Sequence, residues 1–262
     1  MDKLKFSTYA VFSNKDNGLI GNTSTVVETE HALPNVQMQS IASDLWQPAT
    51  IFLWKENDQW HVRWFAPDQE IGLCGHGSLA AVAYLSEKGI FDTEIRFKNG
   101  IISGGVENEK CYITLASIPV IDELTIENYL LDGLKIPILG HFKTSNKNII
   151  LTDSQESVRF MSPNFEILRR SPIFGYAVTS VGDDCDFVSR TLVPHVHQLE
   201  DPATGSSHAA LAPFWAAKLN KTKMKAIQLS KRGGQFHLTL EGKKVKLYGE
   251  HYKLNEGTLF LH

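Results

Sequence analysis

Two short segments concentrate the residue types that can move protons and bind anions. The first is Cys74-Gly75-His76-Gly77; the second is Asp201-Pro202-Ala203-Thr204-Gly205-Ser206. Each runs directly into an apolar stretch, Ser78 to Leu85 and Ser206 to Leu219, which reads as a helix. A helix N-terminus presents free backbone N–H groups and a partial positive charge. Glycine lets such a backbone approach a ligand closely. Two helix ends facing a shared cleft would therefore clamp a carboxylate without arginine. A thiol in that position, Cys74, is disposed to ionise and serve as a base. His76 titrates near neutrality and can shuttle protons. Asp201, outside the helix, is placed to accept a hydrogen bond from a ligand or to orient His76. Each residue also has a structural reading: Cys74 as a small buried apolar group, Ser206 as a cap, and the glycines as helix punctuation.

The two segments sit in similar surroundings. Phe65-Ala66-Pro67 ends a strand and is followed by Glu70, Gly75, Gly77 and the first helix; Leu192-Val193-Pro194 ends another and is followed by Glu200, Gly205 and the second. From proline to the last loop glycine is ten positions in one copy and eleven in the other. Both helices are apolar nearly all round and should be central. The expected fold is α+β, with two pseudo-symmetric lobes, each a curved, mostly antiparallel sheet wrapped around one central helix.

The elements that would build these lobes are mainly strands. Leu4 to Phe12 reads as the first. Thr50 to Lys55 and Gln59 to Phe65 form a hairpin, in which Trp60, Val62 and Trp64 alternate with His61 and Arg63. Ser24 to Ala32, with Asn22 or Thr23 as its cap, and Val36 to Trp46 read as helices. Lys147 to Thr152, Ile173 to Val181 and Asp186 to Val193 are strand-like. Ala226 to Ser230, Phe236 to Leu240 and Val245 to Tyr248 form a meander, and Thr258 to Leu261 is a last short strand. The acidic stretch Ile121 to Leu130 is compatible with a helix. Residues 1–118 are assigned to the N-terminal lobe and 119–253 to the C-terminal lobe, the final strand at about 254–262 being free to join the first. Pro213 should kink the second central helix.

The chain has 262 residues, 42% hydrophobic and 21% charged, with a formal net charge of −3. That balance argues against nucleic acid as a partner. No apolar window is long enough for a membrane helix, and the N-terminus lacks an apolar signal core. Cys74, Cys111 and Cys185 form no disulfide framework, which points to a cytoplasmic setting. His195 and His197 share a strand face but lack a third metal ligand. No phosphate-binding loop or nucleotide fingerprint is present.

At the two loops the sequence resembles the phenazine-biosynthesis PhzF-like family, relatives of diaminopimelate epimerase and proline racemase. The resemblance rests on Gly21-Asn22-Thr23 with Val26-Val27, on Gln39 to Phe52, on Arg63 to Ala80, and on Arg190 to Leu211. It implies a diaminopimelate epimerase-like fold, an isomerase of a biosynthetic process with no metal or organic cofactor, a small carboxylic acid as ligand, and a homodimer. The family's histidine, aspartate and serine carry over to His76, Asp201 and Ser206. By the same resemblance Asn22, Gly75, Gly77, Thr204, Gly205 and Ser206 would contact substrate, and Cys74, His76 and Asp201 would be catalytic. The family's catalytic glutamate falls at Ala49, within Pro48-Ala49-Thr50, and no glutamate lies between Glu30 and Glu56. The two-cysteine pattern of the epimerases is matched by Cys74 alone, with Pro202 at the second position. Two functions follow from these features: an isomerase using Cys74 or His76 as its single base, or a small-molecule-binding protein that keeps the site and has lost turnover.

Overall fold

The computed structural model describes residues 3–261. Contacts divide them into two units. The first holds residues 3–15, 20–115 and 248–261; the second holds 16–19 and 116–247.

In the first unit, β1 (Lys3–Ser13) lies between β2 (Asn22–Glu28) and the later part of β17 (Lys244–Phe260), antiparallel to both. After α1 (Asn35–Leu45), β3 (Thr50–Glu56) runs parallel to β2 and turns back into β4 (Gln59–Phe65). The two-residue turn places Asn57 and Asp58 at positive φ, the conformation that matches the twist of a hairpin. β4 carries the short β5 (Glu70–Ile71) and runs parallel to β6 (Asp92–Phe97), which leads into the antiparallel β7 (Gly100–Glu107) and β8 (Lys110–Ala116). The sheet wraps α2 (Gly75–Glu87), which packs on β1, β2, β3 and β7 and is buried along almost its whole length. α1 covers the outer face, where Met38, Ile41 and Ala42 meet Val27, Phe52 and Phe65.

The second unit repeats this order. β9 (Asp122–Leu124) and α3 (Asn128–Leu134) precede β10 (Gly140–Lys143) and β11 (Asn148–Leu151), which are antiparallel to each other. Two short helices follow, α4 (Gln155–Phe160) and α5 (Phe165–Leu168). β12 (Tyr176–Val181) is then parallel to β11 and antiparallel to β13 (Phe187–Leu192). β13 carries the short β14 (Glu200–Asp201) and runs parallel to β15 (Lys223–Gln228), which pairs with β16 (Gly234–Glu241). Between β14 and β15 comes α6 (Gly205–Leu219), the counterpart of α2. Strand for strand, the order of parallel and antiparallel pairings matches the first unit. This is the mixed α+β fold that the repeat in the sequence implies.

Several local expectations are corrected. Ser24 to Ala32 is not a helix: Asn22–Glu28 is a strand paired on both sides, by β1 and β3. Residues 24–27 are all buried, so the alternation that marks a half-buried strand is missing. The β-branched Thr23, Thr25, Val26 and Val27 are the better guide, and Asn22 starts a strand instead of capping a helix. Ile121 to Leu130 divides into β9 and α3, because residues 122–124 pair with β10. The two short C-terminal strands are one, Lys244–Phe260, kept in register with β1 by bulges near Thr8 and near Phe12. Pro213 lies inside α6, where the sequence puts it. The Ala209 carbonyl, which a proline four residues later leaves without its helical donor, accepts the Ile118 N–H at 2.9 Å.

Candidate active site

The first loop is set by β4, β5 and α2. Cys74 is the N-cap of α2, with an extended backbone at φ −126° and ψ 104°. Its Sγ accepts the Gly77 N–H at 3.3 Å and lies 3.5 Å from Nδ1 and 3.7 Å from Nε2 of His76. The Ser78 hydroxyl donates to the Cys74 carbonyl at 2.6 Å. Thiol and imidazole are both buried, with 4% and 8% of their surface exposed. The sulfur thus sits at a helix N-terminus, holds a backbone N–H and touches an imidazole. Burial raises the thiols of Cys111 and Cys185 to about 11.

Gly77 is demanded by packing. A Cβ there would lie 2.8 Å from Trp64 Cδ1 and 3.0 Å from Cys74 Sγ. Trp64, on β4, lies against the first turn of the helix. Upstream, Gly21 has φ +75°, and a Cβ on it would lie 2.2 Å from the Val11 carbonyl oxygen, which only glycine tolerates. That turn delivers Asn22, fully buried, whose Oδ1 accepts the Thr23 N–H at 3.0 Å. Ala49 is fully buried just ahead of β3, its carbonyl accepting the Thr25 N–H at 3.0 Å.

The second loop belongs to β13, β14 and α6. Thr204 is the N-cap of α6, at φ −119° and ψ 103°, within a few degrees of Cys74. As helix N-caps, Cys74 and Thr204 are counterparts within this chain, a thiol in the first unit and a hydroxyl in the second. Asp201 lies outside the helix, paired with Thr191 across β13 and β14. Ser206 is the second residue of α6, too far into the helix to cap it, and its hydroxyl receives a hydrogen bond from the Lys147 ammonium at 3.0 Å. Gly205 opens the helix between them.

Three residues that hold these loops carry no signal in the sequence. Gln228, fully buried at the end of β15, accepts the Thr204 N–H at 2.9 Å and donates to the Thr204 hydroxyl and the Asp201 carbonyl. Ser230 adds a hydrogen bond to the Pro202 carbonyl at 2.7 Å. Lys147, at the start of a strand, reads in the sequence as an ordinary exposed lysine, but only 5% of it is exposed. His208 donates through Nδ1 to the Thr204 carbonyl at 2.8 Å, as Ser78 does to Cys74. Enclosed and stacked on Phe236, its imidazole is held neutral, with burial lowering its pKa to about 4.

The weaker sequence candidates have ordinary structural roles. His195 donates through Nε2 to the Ser171 carbonyl at 2.9 Å. Trp215 donates to Thr179 at 3.0 Å, and Phe214 packs on Phe142. Among the described residues, no cluster of three or more His, Cys, Asp or Glu side chains could hold a metal, and no helix is long and apolar enough to cross a membrane.

Residues 9–257 match the family model described as phenazine biosynthesis-like protein. The chain is 34% identical over 265 residues to a protein of Pseudomonas aeruginosa named as an uncharacterized isomerase, with 99% of each covered. It is also 34% identical over 248 residues to another uncharacterized isomerase, from Halalkalibacterium halodurans, covering 92% of this chain and 94% of that one. Among solved structures, a PhzF-family protein of Enterococcus faecalis superposes with a TM-score of 0.93 at 28% identity, covering 99% of this chain and 100% of the other. A hydroxyproline epimerase from Agrobacterium vitis, with trans-4-hydroxy-L-proline bound, shares the fold at a TM-score of 0.64 and 12% identity, covering 98% and 92%.

Proposed function

The chain belongs to the phenazine biosynthesis-like, or PhzF-like, family of isomerases, and from that premise we propose that it moves a proton on a small carboxylic acid without a cofactor. Cys74 takes the proton from the carbon beside the carboxylate, and His76 relays it. The same proton is then returned from His76 at another position of the acid, so that the product is an isomer of the substrate, and Asp201 takes part by accepting a hydrogen bond from the substrate. Asn22, the Gly75 N–H and the open backbone at Gly77 are assigned to binding the acid, as are Thr204, Gly205 and Ser206. Donors aimed at the charge that builds on an enolate-like intermediate are commonly the largest catalytic contribution. The observation that carries this reading is the Cys74 sulfur, which takes the Gly77 N–H at 3.3 Å with a His76 ring nitrogen at 3.5 Å. In this proposal Ala49 stands where the family's glutamate would act, and a methyl group accepts no proton. The thiol takes over that role.

A second reading draws on the same alanine: a binding protein that keeps the loops and has lost turnover. The two part in heavy water. The protein is incubated with a set of small carboxylic acids, cyclic amino acids among them, and deuterium uptake is followed by mass spectrometry. Uptake by wild type that vanishes in Cys74→Ala is the expected result. Uptake only in Ala49→Glu would identify an inactivated relative. No uptake in any of the three, with an acid still raising the melting temperature, would replace the isomerase reading with the binding one.

A further inference from the structure

Trp64 is 2% exposed, and among the described residues its indole N–H has no hydrogen-bond acceptor. A buried donor left unpaired is destabilising, so its persistence calls for a function or an acceptor that appears in another state. The place where a Cβ on Gly77 would sit is 3.2 Å from Trp64 Nε1 and 3.0 Å from Cys74 Sγ. Indole nitrogen and sulfur thus border the same small space at the start of α2.

The second unit shows what the position does when it is purely structural. The register places Thr191 on β13 where Trp64 lies on β4, and helix positions match Ser207 to Gly77. There the Thr191 and Ser207 hydroxyls bond each other at 3.0 Å, and the pair is satisfied. In the first unit the glycine offers no side chain, and the indole donor stays open beside the thiol.

We propose that the indole N–H of Trp64 donates to the Cys74 thiolate and stabilises it, which makes Trp64 a positioning residue for the proton-transfer group. The proposal rests on the reading of Cys74 as the base. A neutral thiol is a weak acceptor already engaged by the Gly77 N–H, whereas a thiolate accepts several donors. Gly77 N–H, the Trp64 indole and the His76 ring then surround it. His76 lies against the sulfur and titrates beside it.

The test is the ultraviolet absorbance of the thiolate, titrated with pH in the full-length protein, with Cys74→Ser as the blank. Cys111 and Cys185, raised to about 11 by burial, stay protonated through the neutral range. A hydrogen bond to a charged group is worth about 1.5–3 kcal/mol, so Trp64→Phe should raise the Cys74 midpoint by roughly one pH unit or more. Phe97→Leu disturbs the ring that packs on Trp64, with centroids 5.4 Å apart, but keeps the N–H; it should lower the melting temperature and leave the midpoint in place. An unmoved midpoint in Trp64→Phe, equal shifts in both variants, or no Cys74 thiolate signal in wild type would each overturn the proposal. A shift in Trp64→Phe without deuterium uptake by wild type would leave the hydrogen bond standing and remove the catalytic reading of Cys74.

Discussion

Arg190 grips Glu200 as a two-pronged fork, Nε to Oε1 at 2.7 Å and Nη2 to Oε2 at 2.8 Å. In the first unit Arg63 grips Glu70 the same way, at 2.8 and 2.7 Å. In both, the glutamate pairs across the strands with the last residue of β4 or β13, and the arginine lies two residues earlier. Each fork ties the base of a loop that leads into a central helix. Parallel N–H to carboxylate bonds are among the stronger polar contacts, but solvent decides their worth. Arg190 is the better shielded and also donates to the Met161 carbonyl at 2.8 Å. Arg190→Met should therefore cost about 2 kcal/mol, by leaving Glu200 and that carbonyl unpaired. Arg63→Met should cost about 1 kcal/mol or less. Urea denaturation of the two variants measures the difference, and equal costs would contradict this ranking.

The matched acids also show how far the chain can be read from its residues alone. Glu70 and Glu200 stand out as members of a repeat by position and spacing, and so do the two glycine-bearing helix starts. The repeat carries the fold because both copies preserve the same strand, loop and helix. What the acids do is not visible at that level: they are partners of arginines rather than ligand groups, and that depends on cross-strand register. The same limit hides Gln228, Lys147 and Trp64, whose roles arise from contacts at long sequence separation. β2 escapes for a different reason. A strand buried on both faces loses the polar alternation that identifies strands. The partner of the carbonyl that Pro213 frees in α6 is equally hidden, because the sequence does not show that Ile118 supplies the missing donor.

Gly77 is fixed by what surrounds it. Gly77→Ala drives a methyl to 2.8 Å from the Trp64 ring and 3.0 Å from the Cys74 sulfur. Overpacking of this kind costs about 1–3 kcal/mol, and here it also displaces the thiol. The variant should melt lower and lose deuterium exchange together. Ser207→Ala, at the matching position of α6, only unpairs the Thr191 hydroxyl and should cost about 1 kcal/mol. Thermal melts of the two variants would show the ordering; a Gly77→Ala protein as stable as wild type would rule out the packing account.

Gln228 braces the second loop from beneath with three hydrogen bonds. Gln228→Leu keeps the volume roughly the same and removes every donor and acceptor. It strands a buried Thr204 N–H, at about 1–3 kcal/mol, and frees the Asp201 carbonyl. Gln228→Glu keeps the acceptor for Thr204 but loses the donor. The expected order of stability is wild type, then Glu, then Leu, read from urea midpoints. If both variants retained wild-type exchange rates on the substrate, the loop's geometry would not matter to turnover.

His208 gives the protein a stability that depends on pH. Its ordinary pKa of 6.5 falls to about 4 when folded, because burial penalises the imidazolium. Between those values the unfolded chain binds a proton that the folded one refuses, so acid favours unfolding. The contribution is complete above pH 6.5 and is lost progressively as the pH falls toward 4, to a total of about 3 kcal/mol at roughly 1.36 kcal/mol per pKa unit. Burial lowers His141 and His251 as well, and they add to the slope in the same direction. His208→Phe keeps an aromatic ring against Phe236 and Phe187 but cannot be protonated. Because it also removes the imidazole donor from the Thr204 carbonyl and leaves that oxygen only the backbone N–H of residue 208, it should be less stable than wild type at about pH 7. Its urea midpoint should then fall less than that of wild type between about pH 7 and pH 4.5. Parallel loss in the two proteins would assign the acid sensitivity to other groups.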